Sequence, residues 1–336
     1  MSKPRKHDIY FSFFMFTANL QPDDAGYTET IARHMSALLK MGYDGFDLPI
    51  APTPTTDHQS EVASYQRLRQ RLDKAGLTGL KIATNVGTTR TFDPTSLYKE
   101  QRDAALAYLK SRVDITVALG GTMLAGPIIF PYGVFPTTDF NEPVWSDALQ
   151  NWLAPRYLLA APVLAALTDY AGERGVTLAI EPVDHWETPA PNMVADVLRF
   201  LESIPNPRLG VCIDSAHVVL GSDGPAEFRS GVRQALDGKR LHYVHISAPD
   251  RGSIHDSWIP WQQFLEPIMP SFEGPFLLEV FNAVPVFLNS LRQTRRKFWI
   301  PGEDATADGP SAYDIAAQAL ATVCREFAVL TPESAR

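Results

Sequence analysis

Sulfur is scarce in this sequence, and positive charge is in deficit. The two cysteines, Cys212 and Cys324, lie far apart in apolar surroundings. That excludes a disulfide framework and fits a reducing, cytoplasmic setting. Lys and Arg number 30 against 38 Asp and Glu, a net charge of −8. Such a balance leaves no broad phosphate-binding face, so nucleic acid is not an expected partner. Long apolar runs are missing as well. The longest after the first strand, Tyr157 to Leu167, falls short of the roughly 20 residues a membrane span needs. The opening MSKPRKHDIYFSFFMF has neither a long apolar core nor a small-residue cleavage site, so neither a leader nor a membrane partner is expected. With 45% hydrophobic and 20% charged residues, disorder and fibrous repeats are excluded too. The 336 residues are enough for two average domains or for one large α/β barrel.

What is present is a rhythm. Apolar β-rich segments alternate with segments of helical period from end to end, the pattern of a parallel sheet with crossover helices. Strands are expected at Ile9–Phe13, Gly45–Leu48, Leu80–Thr84, Thr122–Ala125, Val176–Glu181, Leu209–Asp214, Leu241–Ile246 and Phe276–Val280. Helical patterns follow at 28–41, 62–75, 94–119, 157–174, 193–203, 226–237, 261–268 and 286–299, with a last one at 311–327. Eight such repeats predict a (β/α)8 TIM barrel spanning 1–336 as one domain. Two regions break the rhythm: a Pro- and aromatic-rich stretch at 126–155, read as a long loop, and a C-terminal extension at 300–336. A loop of that length in a compact domain is more often a lid or contact surface than filler.

In such barrels chemistry sits at the carboxyl ends of the strands. Four consecutive strands end in a metal-ligating residue: Glu181, Asp214, His245 and Glu279, separated by 33, 31 and 34 residues. One repeat apart, their side chains converge on one mouth. Three carboxylates and one imidazole suit Mn²⁺, Mg²⁺ or Co²⁺, with coordination positions left for substrate oxygens. Plainer readings compete. Asp214 precedes Ser215-Ala216 as a helix cap would. Glu279 is harder to dismiss in this way, because a carboxylate between Leu278 and Val280 must find a partner or stay protonated. Glu187, His217 and Arg251 follow the ligands closely; His217 could equally be a buried, satisfied histidine and Arg251 a surface charge.

The sequence resembles the ketose 3-epimerase branch (D-tagatose/D-psicose 3-epimerase type) of the xylose-isomerase-like sugar isomerase/epimerase barrels. The matching segments are MGYDGFDLP, LAIEPVDHWET, GVCIDSAH, HYVHISAPDRG and FLLEVF. The resemblance implies one Mn²⁺ or Co²⁺ on Glu181, Asp214, His245 and Glu279, and sugar contacts from Glu187, His217 and Arg251. Asp184-His185 stands where the family has Asn-Arg, and the Glu usual between the ligand His and the Arg is absent from SAPD.

The implied activity is metal-dependent epimerisation or isomerisation of a keto-sugar. A proton beside the carbonyl is removed and returned, and the cation stabilises the enediolate formed between the two steps. Glu181 and Glu279 are the implied pair of proton carriers, one on each face of the substrate. The alternative is a lyase on 3-oxo-glycosides, of C-glycoside deglycosidase or dehydratase type, which begins with the same abstraction. The family also implies a homo-oligomer, dimer or tetramer. The loop at 126–155 and the segment FLNSLRQTRRKFWIP offer contact surface for a partner subunit.

Overall fold

The computed structural model describes residues 6–53, 55–136, 146–221, 224–282, 298–304 and 309–330. Among them eight parallel strands close into a barrel in sequence order, with the first paired to the last. The strands are β1 (Ile9–Ser12), β2 (Gly45–Pro49), β3 (Lys81–Asn85), β4 (Met123–Gly126), β5 (Thr177–Ile180), β6 (Leu209–Asp214), β7 (Leu241–Ser247) and β8 (Phe276–Glu279). The helices are α1 (Ala25–Met41), α2 (His58–Lys74), α3 (Lys99–Ala118), α4 (Ser146–Glu173), α5 (Val194–Leu201), α6 (Ser215–Gly221), α7 (Pro225–Asp237), α8 (Trp261–Leu265) and α9 (Ala312–Leu330).

Strand alternation builds two separate cores. Outward residues such as Phe11, Phe46, Leu124, Ile180 and Ile246 join the large core between strands and helices. Inward residues fill the narrow barrel: Ala83, Ala125, Ala179 and Cys212, with Tyr243 and Leu277 as the bulky members. Small side chains on β3 to β6 leave room for Tyr243, whose ring meets the His245 ring edge-on at 4.5 Å.

Local chemistry sets the helix ends. Asp24 caps α1 by accepting from the Tyr27 N–H at 2.9 Å, and Gly42 ends it at φ 106°. Gly126 closes β4 at φ +130°, where a Cβ would lie 2.2 Å from the Val86 carbonyl oxygen. No other residue lets the β3 and β4 ends approach so closely.

The expected strands are all present, with ends moved by a residue or two. The irregular stretch is shorter than expected. Helix α4 begins at Ser146, eleven residues before the helix expected at 157–174, and Pro155 is what hides that first part in the sequence. Helix α6 was not expected. It is a seven-residue turn nucleated by the carboxylate of Asp214, and it is too short for a periodic signal. Residues 286–297 of the helix expected at 286–299, with most of FLNSLRQTRRKFWIP, lie outside the described residues, as do residues 137–145 of the 126–155 loop. The last residue of that expected helix, Trp299, instead bridges to Ser311.

Candidate active site and metal centre

The four strand-end residues meet at the carboxyl mouth of the barrel. Glu181, Asp214, His245 and Glu279 are all buried. Asp214, His245 and Glu279 present ligand atoms within 4.8 Å of one another. Glu181 joins them through Oε1, 3.1 Å from Nδ1 of His245. Asp214 also does what the plainer reading proposed: its Oδ1 accepts from the Ala216 N–H at 2.6 Å and caps α6. One carboxylate thus fixes the loop while facing the cluster.

Electrostatics concentrate negative charge here. Burial, with Asp214 and Glu181 close by, pushes Glu279 well above the usual carboxylate range. Against the cost of its own burial, Asp214 is held down to about 2 by His217, Arg251, His245 and the Ser247 hydroxyl. That hydroxyl donates to both Asp214 oxygens, at 2.7 and 2.8 Å. The cluster fits a divalent cation on its own chemistry. It has three carboxylates, one imidazole, and a buried His245 Nε2 with no hydrogen-bond partner in the structure. The donors are mostly hard oxygen with one imidazole, a set suited to a divalent cation.

A second tier lies beside the first. His217, Glu187 and Arg251 are buried next to the ligand cluster, and Asp184 joins them. The Asp184 main-chain N–H donates to Nδ1 of His217 at 3.1 Å. Against burial and the Arg251 charge, Glu187, Asp214 and Asp184 push His217 up to about 9, and its Nε2 lies 3.7 Å from both Glu181 and Glu187. Arg251 adopts φ +57°, a left-handed conformation costly for a side chain of this size. Its N–H donates to the Ala248 carbonyl and its carbonyl accepts from the Phe281 N–H, so the loop after β7 is tied to the loop after β8. Arg251 is thus buried, and the surface-charge reading does not hold.

Sequence reasoning missed three members of the site. Tyr132, in the loop after β4, donates its hydroxyl to Glu187 Oε1 at 3.1 Å, while the Gly133 N–H donates to the Glu187 carbonyl at 2.7 Å. No spacing rule pointed to it. Ser247 lies two residues beyond His245 on the same strand face, a period-two signal that would have found it. Asp47 is an inward carboxylate on β2, fully buried and pushed up to about 7 by burial. Its signal was an acid within the apolar GFDLP. By contrast, His242 turns to the Pro207 carbonyl at 3.0 Å, and His185 and His255 are exposed.

A family profile described as "Xylose isomerase-like TIM barrel" matches residues 35–313. The chain belongs to this family. A crystal structure from Anabaena variabilis, described as that of a candidate sugar phosphate isomerase/epimerase, shares 52% identity over 97% of this chain and 99% of that one, with a TM-score of 0.92. L-ribulose 3-epimerase of Methylomonas sp. is 27% identical over 270 residues, 79% of this chain and 84% of its own. D-allulose 3-epimerase from Methylomonas sp., solved with D-allulose, superposes with a TM-score of 0.72 at 21% identity, covering 97% and 99% of the two chains. The xylose isomerase-like assignment agrees with the resemblance carried by the strand-end motifs. Among the described residues no helix is long and apolar enough to cross a membrane.

Proposed function

We propose that this protein is a divalent-metal-dependent ketose epimerase of 3-epimerase type. The observation that carries the reading is the buried convergence of Glu181, Asp214, His245 and Glu279 at the barrel mouth. The similarity to curated ketose 3-epimerases supports the substrate class. These four side chains would hold the ion, with Mn²⁺ the best match to the donors and Co²⁺ or Mg²⁺ next. The bound ion supplies Lewis-acid stabilisation of the charge that develops when the proton next to the carbonyl leaves.

The protein's own part is proton handling and positioning. Glu181 and Glu279 stand on non-neighbouring strands, β5 and β8, and serve as the two proton carriers. A carboxylate on one side takes the proton and one on the other returns it, which inverts the carbon. His217, Arg251 and Glu187 hold the sugar oxygens in register. Burial of the whole set excludes water that would otherwise protonate the intermediate at random. The pairing of β1 with β8 supports one barrel domain over the length of the chain, and the family resemblance supports a homo-oligomer.

The test is an assay of Mn²⁺-loaded protein with free ketoses, ketose phosphates and 3-oxo-glycosides, followed by chromatography of the products. Epimerised ketose is the expected product. Release of an aglycone from a 3-oxo-glycoside with no epimerised ketose would instead establish the lyase alternative.

A further inference from the structure

The outer tier is crowded with negative charge around a single guanidinium. Among the described residues, Arg251 is the only Lys or Arg that forms an ion pair with Asp184, Glu187, Asp214 or Glu279. Both of its terminal nitrogens are engaged. Nη1 donates to Ser247 Oγ at 3.0 Å and faces Asp214 at 3.5 Å and Glu279 at 4.0 Å. Nη2 lies 3.4 Å from Asp184, 3.8 Å from Glu187 and 3.1 Å from Nε2 of His217. With Asp214 and Glu279 serving the ion, an incoming anion would meet Asp184 and Glu187 already gathered around Arg251.

Asp184 supplies the contact that is hardest to explain by the epimerase chemistry alone. It is 1% exposed, and its Oδ2 lies 3.2 Å from Nδ1 of His217 and 3.4 Å from Nη2 of Arg251. Its Oδ1 is enclosed and has no hydrogen-bond partner in the structure. The side chain thus acts through Arg251 and His217 and does not itself reach solvent. An amide would preserve the shape and remove one negative charge from beside the guanidinium.

Resting on the ketose-epimerase reading, we propose that Asp184 is a positioning residue that determines substrate charge. By orienting Arg251 and His217 and offsetting the charge of Arg251, it restricts this end of the site to uncharged hydroxyl groups and turns away ketose phosphates. Specificity then comes from a repulsive element as much as from an attractive one.

The test uses full-length Mn²⁺-loaded protein, as wild type, Asp184→Asn and Asp184→Glu. For each, kcat/KM is measured on a free ketose and on its 6-phosphate, and inorganic phosphate is titrated calorimetrically. Wild type should favour the free ketose by about a hundredfold or more. Asp184→Asn should raise the phosphate-to-free ratio by about tenfold and tighten phosphate binding similarly, while Asp184→Glu keeps both within about threefold of wild type. The proposal is overturned if wild type prefers the 6-phosphate or if Asp184→Asn moves neither quantity. It is also overturned if Asp184→Glu moves them as far as the amide does. Wild type that turns over neither sugar defeats the epimerase reading instead, and the phosphate titrations still decide the role of Asp184. Should Asp184→Asn fail to fold, Asp184→Ser, which also removes the charge, takes its place in the same two measurements with the same expected and overturning results.

Discussion

Nδ1 of His245 stands 3.1 Å from Oε1 of Glu181, a contact that joins β7 to β5 across 64 residues of sequence. Two opposing effects meet there. Burial works against a charged imidazole, yet Cys212 and Glu181 beside it raise the His245 pKa well above its ordinary value. Burial raises Glu279 in the same direction. In metal-free protein both groups therefore hold their protons more tightly than free side chains do, and a cation must compete with those protons to bind. Binding of Mn²⁺ should release protons, and affinity should weaken as the pH is lowered. Calorimetry in buffers of different ionisation enthalpy measures the proton count directly; an uptake with no buffer dependence contradicts this charge state.

Glu279 is the proton carrier most open to test, because its isosteric amide keeps the shape and one donor oxygen. Glu279→Gln should lower kcat by about a thousandfold, the usual scale for loss of a positioned acid–base group. Mn²⁺ binding should remain, with Glu181, Asp214 and His245 still in place. Steady-state kinetics and a metal titration on the same preparation separate the two effects. Near-normal turnover would remove Glu279 from the proton-transfer role.

Asp47 gives a pH effect on stability. Its folded-state pKa is about 7 against an ordinary 3.8, because burial disfavours the anion. A raised carboxyl pKa means the folded state holds the proton more tightly than the unfolded chain does. Stability contributed by the protonated form is complete below pH 3.8 and is lost as the pH climbs to 7, by roughly 4 kcal/mol in metal-free protein. Asp47→Asn should thus raise the urea midpoint at pH 8 and change it little near pH 4. Equal shifts at both pH values would mean that the effect is packing and not ionisation.

Much of this was legible because periodicity and spacing are one-dimensional. Eight apolar strands at repeat spacing predicted the barrel, and the strand-end rule then picked out the four converging side chains. What escaped depended on contacts between distant loops. Tyr132 reaches Glu187 across 55 residues, and no local pattern encodes that meeting. The start of helix α4 is hidden in the sequence because Pro155 is a helix breaker by propensity, and tertiary packing overrides it. Asp214 had been given two competing roles, cap and site member, and the structure has it capping α6 from within the cluster.

Arg112 is the largest fully buried side chain among the described residues, and its partner Glu61 sits in the first turn of α2. The guanidinium pairs with Glu61 Oε2 and lies over the Tyr108 ring at 4.6 Å, while Glu61 Oε1 accepts from the Thr53 hydroxyl at 2.8 Å. This pair ties α2 and α3 to the loop after β2, at a distance from the candidate site in sequence. A buried ion pair gains little over an apolar pair of similar volume, but breaking it by removing one partner strands a charge. Glu61→Ala should cost about 3–5 kcal/mol in chemical denaturation, since Arg112 then remains buried without its counter-charge. The double variant Glu61→Leu with Arg112→Met should recover most of that loss, because it removes both charges and keeps the volume. A double variant as unstable as the single one would show that the geometry of the pair, and not the balance of charge, holds these elements together.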